Sequence, residues 1–288
     1  MTDVNSRPIA WVTGAAGLIG NYLVQTAPRF APTWQVAGLK RSQLDLLDID
    51  AVRRVFAEQS PRLVIHCAAM SRSPDCQAKP DLARRANVDT TALLAKLAAE
   101  IPFVFFSSDL VFDGKSGDYH ELSPVNPLSV YAETKVTAEQ VVLRNPRHLV
   151  IRTSLNAGVS PTGDRAFNEQ MRLAWDRGER LRLFTDEFRS PIPAIDTARA
   201  VWELVNAKQT GVFHVAGAER LSRYDIGKLI AARWPRLRPE IEATSCNEFQ
   251  NPPRPPDTSL NCMKAQSVLS FQLPAFGEWL RNHSEETV

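Results

Sequence analysis

From residue 9 to about residue 152, short β-rich apolar runs alternate with amphipathic stretches, as in a parallel sheet covered by helices on both faces. Ile9-Ala10-Trp11-Val12-Thr13 is the first run, and a helix should follow from Leu18 to about Gln25. The pattern then predicts a strand over 35–39, a helix from Ile49 to Glu58 and a strand over 63–67. After Pro80 one long helix carries Leu82, Ala86, Leu93, Leu94 and Leu97 at helical spacing, and Ile101 to Phe106 forms the next strand. Segment 129–143 reads as a helix and 148–152 as a strand.

Beyond Thr153 the rhythm changes to a helix over 167–177 and a short run over 181–184. The prolines of Ser190-Pro191-Ile192-Pro193 argue against a central strand there. Gly211-Val212-Phe213-His214-Val215 looks like a strand returning to the main sheet, and Asn251 to Pro256 reads as a loop. Trp175 and Trp202 fall at apolar positions of predicted helices and belong to the core. The expected fold class is α/β: a doubly wound parallel sheet of residues 1–154, rejoined by 191–216, with a smaller C-terminal α/β lobe from 155–190 and 217–288.

Composition narrows the functional classes. A chain of 288 residues with 44% hydrophobic and 23% charged residues is an ordinary globular protein. No apolar run reaches membrane-spanning length, and Met1 to Pro8 lacks the apolar core of a secretory signal, so the cytoplasm is the expected compartment. The net charge of +2 is too small to imply a nucleic-acid partner. Four scattered cysteines and five histidines show no ligand spacing, so neither a disulfide framework nor a metal site is expected.

Gly14, Gly17 and Gly20 stand at three-residue spacing between the first strand and its helix. Glycines in that context let the backbone approach a pyrophosphate, whose charge the amides of Leu18, Ile19 and Gly20 can hold at the helix N-terminus. At the end of the second strand, where an acid would accept the ribose 2'-hydroxyl of NAD(H), the chain has Lys40 and Arg41. Cations there favour a 2'-phosphate, so NADP(H) is preferred and NAD(H) remains admissible. Asp45 and Leu46 stand where an adenine could be met, while Asp48 suits the N-terminus of the following helix.

Tyr131 and Lys135 are four residues apart in a predicted helix and therefore share a face. An ammonium beside a phenol favours the phenolate, which is the chemistry of a carbonyl reductase. Ser107-Ser108-Asp109 lies just upstream. The combination of the glycine turn, the serine and the Tyr-x-x-x-Lys spacing, together with Cys67-Ala68-Ala69-Met70, Ala86-Asn87-Val88, Val111-Phe112-Asp113-Gly114, Arg152-Thr153-Ser154, Glu187-Phe188-Arg189 and Arg254-Pro255, resembles the extended short-chain dehydrogenase/reductase family. The resemblance is nearest to its dTDP-4-dehydrorhamnose reductase branch and runs over nearly the whole chain.

That resemblance implies a Rossmann-type dinucleotide domain and reduction of the 4-keto group of a nucleotide-linked deoxysugar. It implies Ser108, Tyr131 and Lys135 as the catalytic group with Asn87 in support, and Ala68, Ala69 and Met70 beside the cofactor. Ser108, Asp109, Tyr131, Leu155, Arg189 and Arg254 would meet the sugar nucleotide, with the arginines, and Arg165, candidates for a diphosphate. Leu110 stands where related dehydratases place a glutamate, which disfavours dehydration; Leu110 and Leu155 also depart from the tyrosine and tryptophan common in the reductases, which leaves the sugar open. A homodimer is compatible with the resemblance. Two other roles share the motif set: a cofactor-binding regulatory protein, as in the methionine adenosyltransferase β-subunit, and a nucleotide-sugar epimerase.

Overall fold

The computed structural model describes residues 7–248 and 254–283. Most of the polar N-terminal segment and residues 251–253 of the expected proline-rich loop lie outside the described residues. Six parallel strands form the main sheet: β1 (Ile9–Thr13), β2 (Gln35–Leu39), β3 (Leu63–His66), β4 (Phe103–Ser108), β5 (Leu149–Thr153) and, after a short strand β6 (Leu181–Phe184), β7 (Gly211–Val215). Their order is β7-β5-β4-β3-β1-β2, so the chain leaves β1 toward β2 and then crosses to β3 on the opposite side. The reversal opens a crevice at the carboxyl ends of β1 and β3, where open α/β sheets bind their ligands.

The strands are apolar on both faces because helices cover both. Ala10, Val12, Leu63, Ile65, Val104 and Phe106 pack into one core, and Trp11, Val64, Phe103 and Phe105 into the other. Helices α1 (Leu18–Phe30) and α8 (Ala194–Asn206) lie on the first face, where Trp202 is fully buried and donates from Nε1 to the Leu23 carbonyl at 3.1 Å. Helices α2 (Ile49–Gln59), α5 (Thr90–Leu97) and α6 (Val130–Val142) cover the second. A third core gathers Phe167, Met171 and Trp175 of α7 (Phe167–Asp176) with Ile226 and Ile230 of α9 (Arg223–Ala231), beneath β6 and its parallel partner β8 (Ile241–Thr244).

Several elements depart from the sequence pattern. The expected long helix after Pro80 is interrupted: α4 (Pro80–Arg84) and α5 are joined by a π-turn over Arg85–Asp89, and a further short helix, α3 (Ser73–Ala78), precedes it. α1 runs on to Phe30 with Pro28 inside its last turn. β4 begins and ends two residues later than its apolar run, so that Ser107 and Ser108 form its carboxyl end. The two-residue strand Ile192–Pro193 pairs only with Asn156–Ala157, outside the main sheet, in keeping with its prolines.

Candidate functional site

Gly14 has φ +71, and a Cβ there would lie 2.8 Å from the backbone nitrogen of Ala68. Only glycine lets β1 turn this close to the chain leaving β3. A Cβ on Gly20 would strike the backbone of Gly14, 2.7 Å from its carbonyl carbon. Gly17 is the N-cap of α1, with no side chain bonded to the helix amides and no acid in the first turn. The amides opening α1 therefore carry no side-chain acceptor, the condition under which a helix end can hold an anion.

Leu18 and Ile19 use their side chains for packing. Leu18 is buried against Ala166 and Ala194, and Ile19 packs on the first core. At the end of β2, Lys40 and Arg41 are exposed. Asp45 is committed to its own loop, accepting from the Leu47 amide at 3.1 Å and pairing with Arg41 at 3.5 Å. Its side chain stays 45% exposed in the loop after β2. Leu46 packs on the second core, and Asp48 caps α2 through Ala51 N at 3.0 Å.

Beneath the crevice, His66 Nδ1 lies 2.7 Å from Thr13 Oγ1, which also accepts from the Ala68 amide at 3.2 Å. Burial, and then the nearby Lys135 ammonium, push the His66 imidazole down to about 3, so it is neutral at physiological pH. Asn87 sits in the π-turn, 1% exposed. Its Oδ1 accepts from Met70 N at 2.8 Å, and its Nδ2 donates to Met70 O and to Thr134 Oγ1, both at 3.0 Å. Asn87 therefore braces the Ala68-Ala69-Met70 chain against α6, and its amide is turned to that brace rather than to the open crevice.

Tyr131 and Lys135 lie on one buried face of α6, which Ser129 caps through Ala132 N at 3.3 Å. Lys135 Nζ donates to the Phe106 carbonyl at 2.8 Å and lies 4.6 Å from the Phe105 ring and 5.9 Å from the Tyr131 ring. Burial draws its pKa down to about 8, opposed by the electrostatics of Cys67, Glu139 and Cys76. Ser108 Oγ accepts from the Leu110 amide at 3.2 Å and donates to Asp109 Oδ1 at 3.1 Å, and it lies near enough to the Tyr131 phenol to lower its pKa.

The phenol is not eased toward ionisation as the spacing suggested. Burial raises its pKa, Ser108 offsets part of this, and Asp109 and Cys76 add to the rise. The reason is geometric: the lysine serves the Phe106 carbonyl and the ring faces, and a buried phenol is held neutral. A neutral phenol is a proton donor.

Two expected substrate contacts are occupied within the protein. Asp109 Oδ2 accepts from Ser154 Oγ at 2.7 Å and Thr258 Oγ1 at 3.0 Å. Arg189, 4% exposed, donates to the carbonyls of Phe188 (2.6 Å) and Pro255 (3.1 Å) and pairs with Glu187 (3.2 Å) and Asp109 (3.8 Å). Buried charges need partners, and these two find each other. Arg254 also pairs with Glu187, through Nε and Nη2, but stays half exposed. Leu155 is partly buried on the third core, and Arg165 is held by Asp164 at 3.2 Å.

Ser73, Leu110, Leu128, Ser129, Arg189, Arg254 and Pro255 line a cavity of about 80 Å³, and Leu110 packs in one cluster with Tyr131. A larger, open hollow beside Lys228, Pro235 and Arg238 is lined by none of the sequence-predicted site residues. Among the described residues no group of three or more His, Cys, Asp or Glu is placed to hold a metal, and no helix is long and apolar enough to cross a membrane. Thr13, His66 and Thr134 were not marked as site residues by the sequence; each gains its place through partners distant along the chain.

Comparison with known proteins agrees with this geometry. The family model described as the RmlD substrate binding domain matches residues 10–287. A probable low-salt glycan biosynthesis reductase of Haloferax volcanii is 32% identical over 77% of this chain and 78% of its own length. The methionine adenosyltransferase 2 subunit beta of Xenopus laevis is 29% identical over 90% of this chain and 82% of its own. The fold is that of the dTDP-4-dehydrorhamnose reductase of Bacillus anthracis, described in complex with NADP (TM-score 0.87, 23% identity, 98% of this chain and 100% of that one). The Clostridium acetobutylicum orthologue superposes with a TM-score of 0.84 at 26% identity, covering 96% of this chain and 98% of that one. With a Rossmann-like parallel sheet, a glycine turn at its switch point and a family model spanning nearly its full length, this chain belongs to the RmlD substrate-binding-domain family.

Proposed function

We propose that the protein is an NADPH-dependent reductase of the 4-keto group of a nucleotide-linked deoxysugar. The observation that carries this reading is the convergence of Ser108, a neutral buried Tyr131 and Lys135 beside the crevice at the sheet's switch point. The glycine turn fits a dinucleotide: a Cβ at Gly14 would meet the chain after β3, and the amides opening α1 carry no side-chain cap. In this reading those amides hold the pyrophosphate, and Lys40 and Arg41 meet a 2'-phosphate at the exposed end of β2. The bound cofactor supplies hydride.

The chain's own residues do the rest. Ser108 Oγ hydrogen-bonds the substrate carbonyl oxygen and so favours the negative charge that builds there. Tyr131 gives that oxygen its proton, and the raised pKa keeps the proton on the phenol until it is needed. Lys135 lies beside the tyrosine ring, where its positive charge stabilises the phenolate left behind. Asn87 is a positioning residue that fixes Met70 and α6 relative to each other. The cavity of about 80 Å³ is far smaller than the roughly 300–1,000 Å³ of a ligand pocket, so admitting a sugar nucleotide requires its lining to move apart. In the same reading, residues 1–154 with 191–216 form the dinucleotide domain and the remainder forms the substrate lobe.

The test follows loss of NADPH absorbance with dTDP-4-keto-6-deoxyglucose or its epimerised product. Turnover by the wild type that is lost in Tyr131→Phe supports the reductase. A regulatory role is the second reading, favoured by the 29% identity to the methionine adenosyltransferase subunit over 90% of this chain. NADPH binding without turnover of any keto-sugar would select it.

A further inference from the structure

The polar groups of one loop converge on a single buried carboxylate. Segment 158–166 leaves the two-residue strand Asn156–Ala157 and returns to α7, where Glu169 of the first turn is 4% exposed. Glu169 Oε1 accepts from the Ser160 amide at 2.7 Å, and Oε2 accepts from Ser160 Oγ at 2.7 Å and from the amides of Arg165 and Ala166, both at 2.9 Å. Ser160 Oγ accepts in turn from the Gly163 amide at 3.1 Å and the Asp164 amide at 3.3 Å. Asn168 holds the start of the loop, taking the Gly158 amide on Oδ1 at 3.0 Å and giving Nδ2 to the Gly158 carbonyl at 2.9 Å. Backbone groups satisfied by buried side chains hold one loop conformation, because opening it would strand those side chains without partners.

The loop is fastened across to the other lobe. Val159 N donates to Tyr22 Oη at 3.1 Å, a Cβ on Gly158 would lie 2.9 Å from that same oxygen, and Ala166 buries against Leu18. Leu18 is the first residue of α1 and Tyr22 stands one turn further on, so the loop braces the helix end whose amides carry no side-chain acceptor. We propose that segment 158–166 is a strap by which the substrate lobe holds the opening turn of α1 in place for the dinucleotide, with Glu169 and Tyr22 as its positioning residues. The assignment rests on the dinucleotide reading above for the ligand at α1, and on the strap's own hydrogen bonds for its rigidity. Amides grip an anion only along their N–H directions, and a helix end held from outside has less freedom left to lose when the anion binds. The strap's bonds involve none of Ser108, Tyr131 and Lys135, so its effect falls on cofactor binding rather than on proton transfer.

The experiment uses full-length protein. NADPH affinity is measured by fluorescence titration without substrate, and dTDP affinity by calorimetry at saturating NADP, for the wild type, Glu169→Gln and Tyr22→Phe. Loss of strap hydrogen bonds is expected to weaken NADPH binding by about 5- to 10-fold in Glu169→Gln and about 2- to 5-fold in Tyr22→Phe, with dTDP affinity unchanged. A carboxylate that served only its own lobe would give the reverse order. Weakening of dTDP by as much as NADPH, or by more, therefore overturns the proposal. Should Glu169→Gln fail to fold, Tyr22→Phe decides, since it keeps the ring and removes one hydroxyl: NADPH affinity equal to that of the wild type overturns the strap and leaves the reductase reading intact. A wild type that binds no NADPH defeats the dinucleotide reading and the strap with it. A wild type that binds NADPH but no dTDP defeats the sugar-nucleotide reading alone, and the NADPH comparison then judges the strap by itself.

Discussion

Two cations are buried against α6, and the protein treats them in opposite ways. Arg152 of β5 meets Glu139 in a two-pronged pair, Nε to Oε1 at 3.0 Å and Nη2 to Oε2 at 2.7 Å, both side chains nearly inaccessible. Lys135, one helical turn before that glutamate, has a backbone carbonyl and two aromatic rings as neighbours and no ion-pair partner among the described residues. The first arrangement holds β5 to α6. The second leaves a buried ammonium without a carboxylate partner beside a neutral phenol, an arrangement that burial makes costly.

Breaking either side of this comparison should have distinct consequences. The largest expected effect is chemical: Tyr131→Phe removes the proposed proton donor and should lower kcat by roughly 10²- to 10⁴-fold, with NADPH affinity retained, measured by steady-state kinetics and direct titration. Next comes Arg152→Met, which strands the Glu139 carboxylate in the core. It should lower the unfolding free energy by about 3–5 kcal/mol in denaturant titration, and the double variant with Glu139→Leu should recover much of that loss. Gly14→Ala forces a residue with φ +71 and a Cβ against Ala68, and should cost about 1–3 kcal/mol together with cofactor binding. The smallest effect is expected for Asn87→Ala, which unpairs the Met70 backbone and Thr134. It should cost about 1–2 kcal/mol and reduce turnover without changing which residue gives the proton.

The same contrast explains what the sequence made legible. The strands, the glycine turn and the shared face of Tyr131 and Lys135 are local properties, set by alternation, by a φ only glycine tolerates and by helical spacing. They were readable, and the structure places them as expected. The identity of a charge's partner is not local. Arg189 pairs with Glu187 and Asp109 while lining the small cavity, and Asp45 meets Arg41 and the Leu47 amide, partners that no local pattern announces. The Tyr131 phenol followed the same rule: spacing put the lysine on its face, but depth of burial decided the direction of its pKa. The π-turn at Arg85–Asp89 shifts the register of the face, so that Ala83, Asn87, Thr90 and Leu94 are buried and Leu82, read as a core position, is exposed.

If Lys135 is kept for chemistry at the expense of the fold, turnover and stability should part company in Lys135→Met. The lysine loses its proton near pH 8 in the folded chain and near 10.5 when unfolded. Between those values the unfolded chain binds more protons, so wild-type stability should rise with pH across that window and fall back on return below it. Lys135→Met should abolish NADPH-dependent turnover of the keto-sugar while its unfolding free energy at neutral pH equals or exceeds that of the wild type, by up to about 3 kcal/mol, and no longer climbs through that window. Turnover that survives the substitution, or turnover lost together with stability, would contradict it.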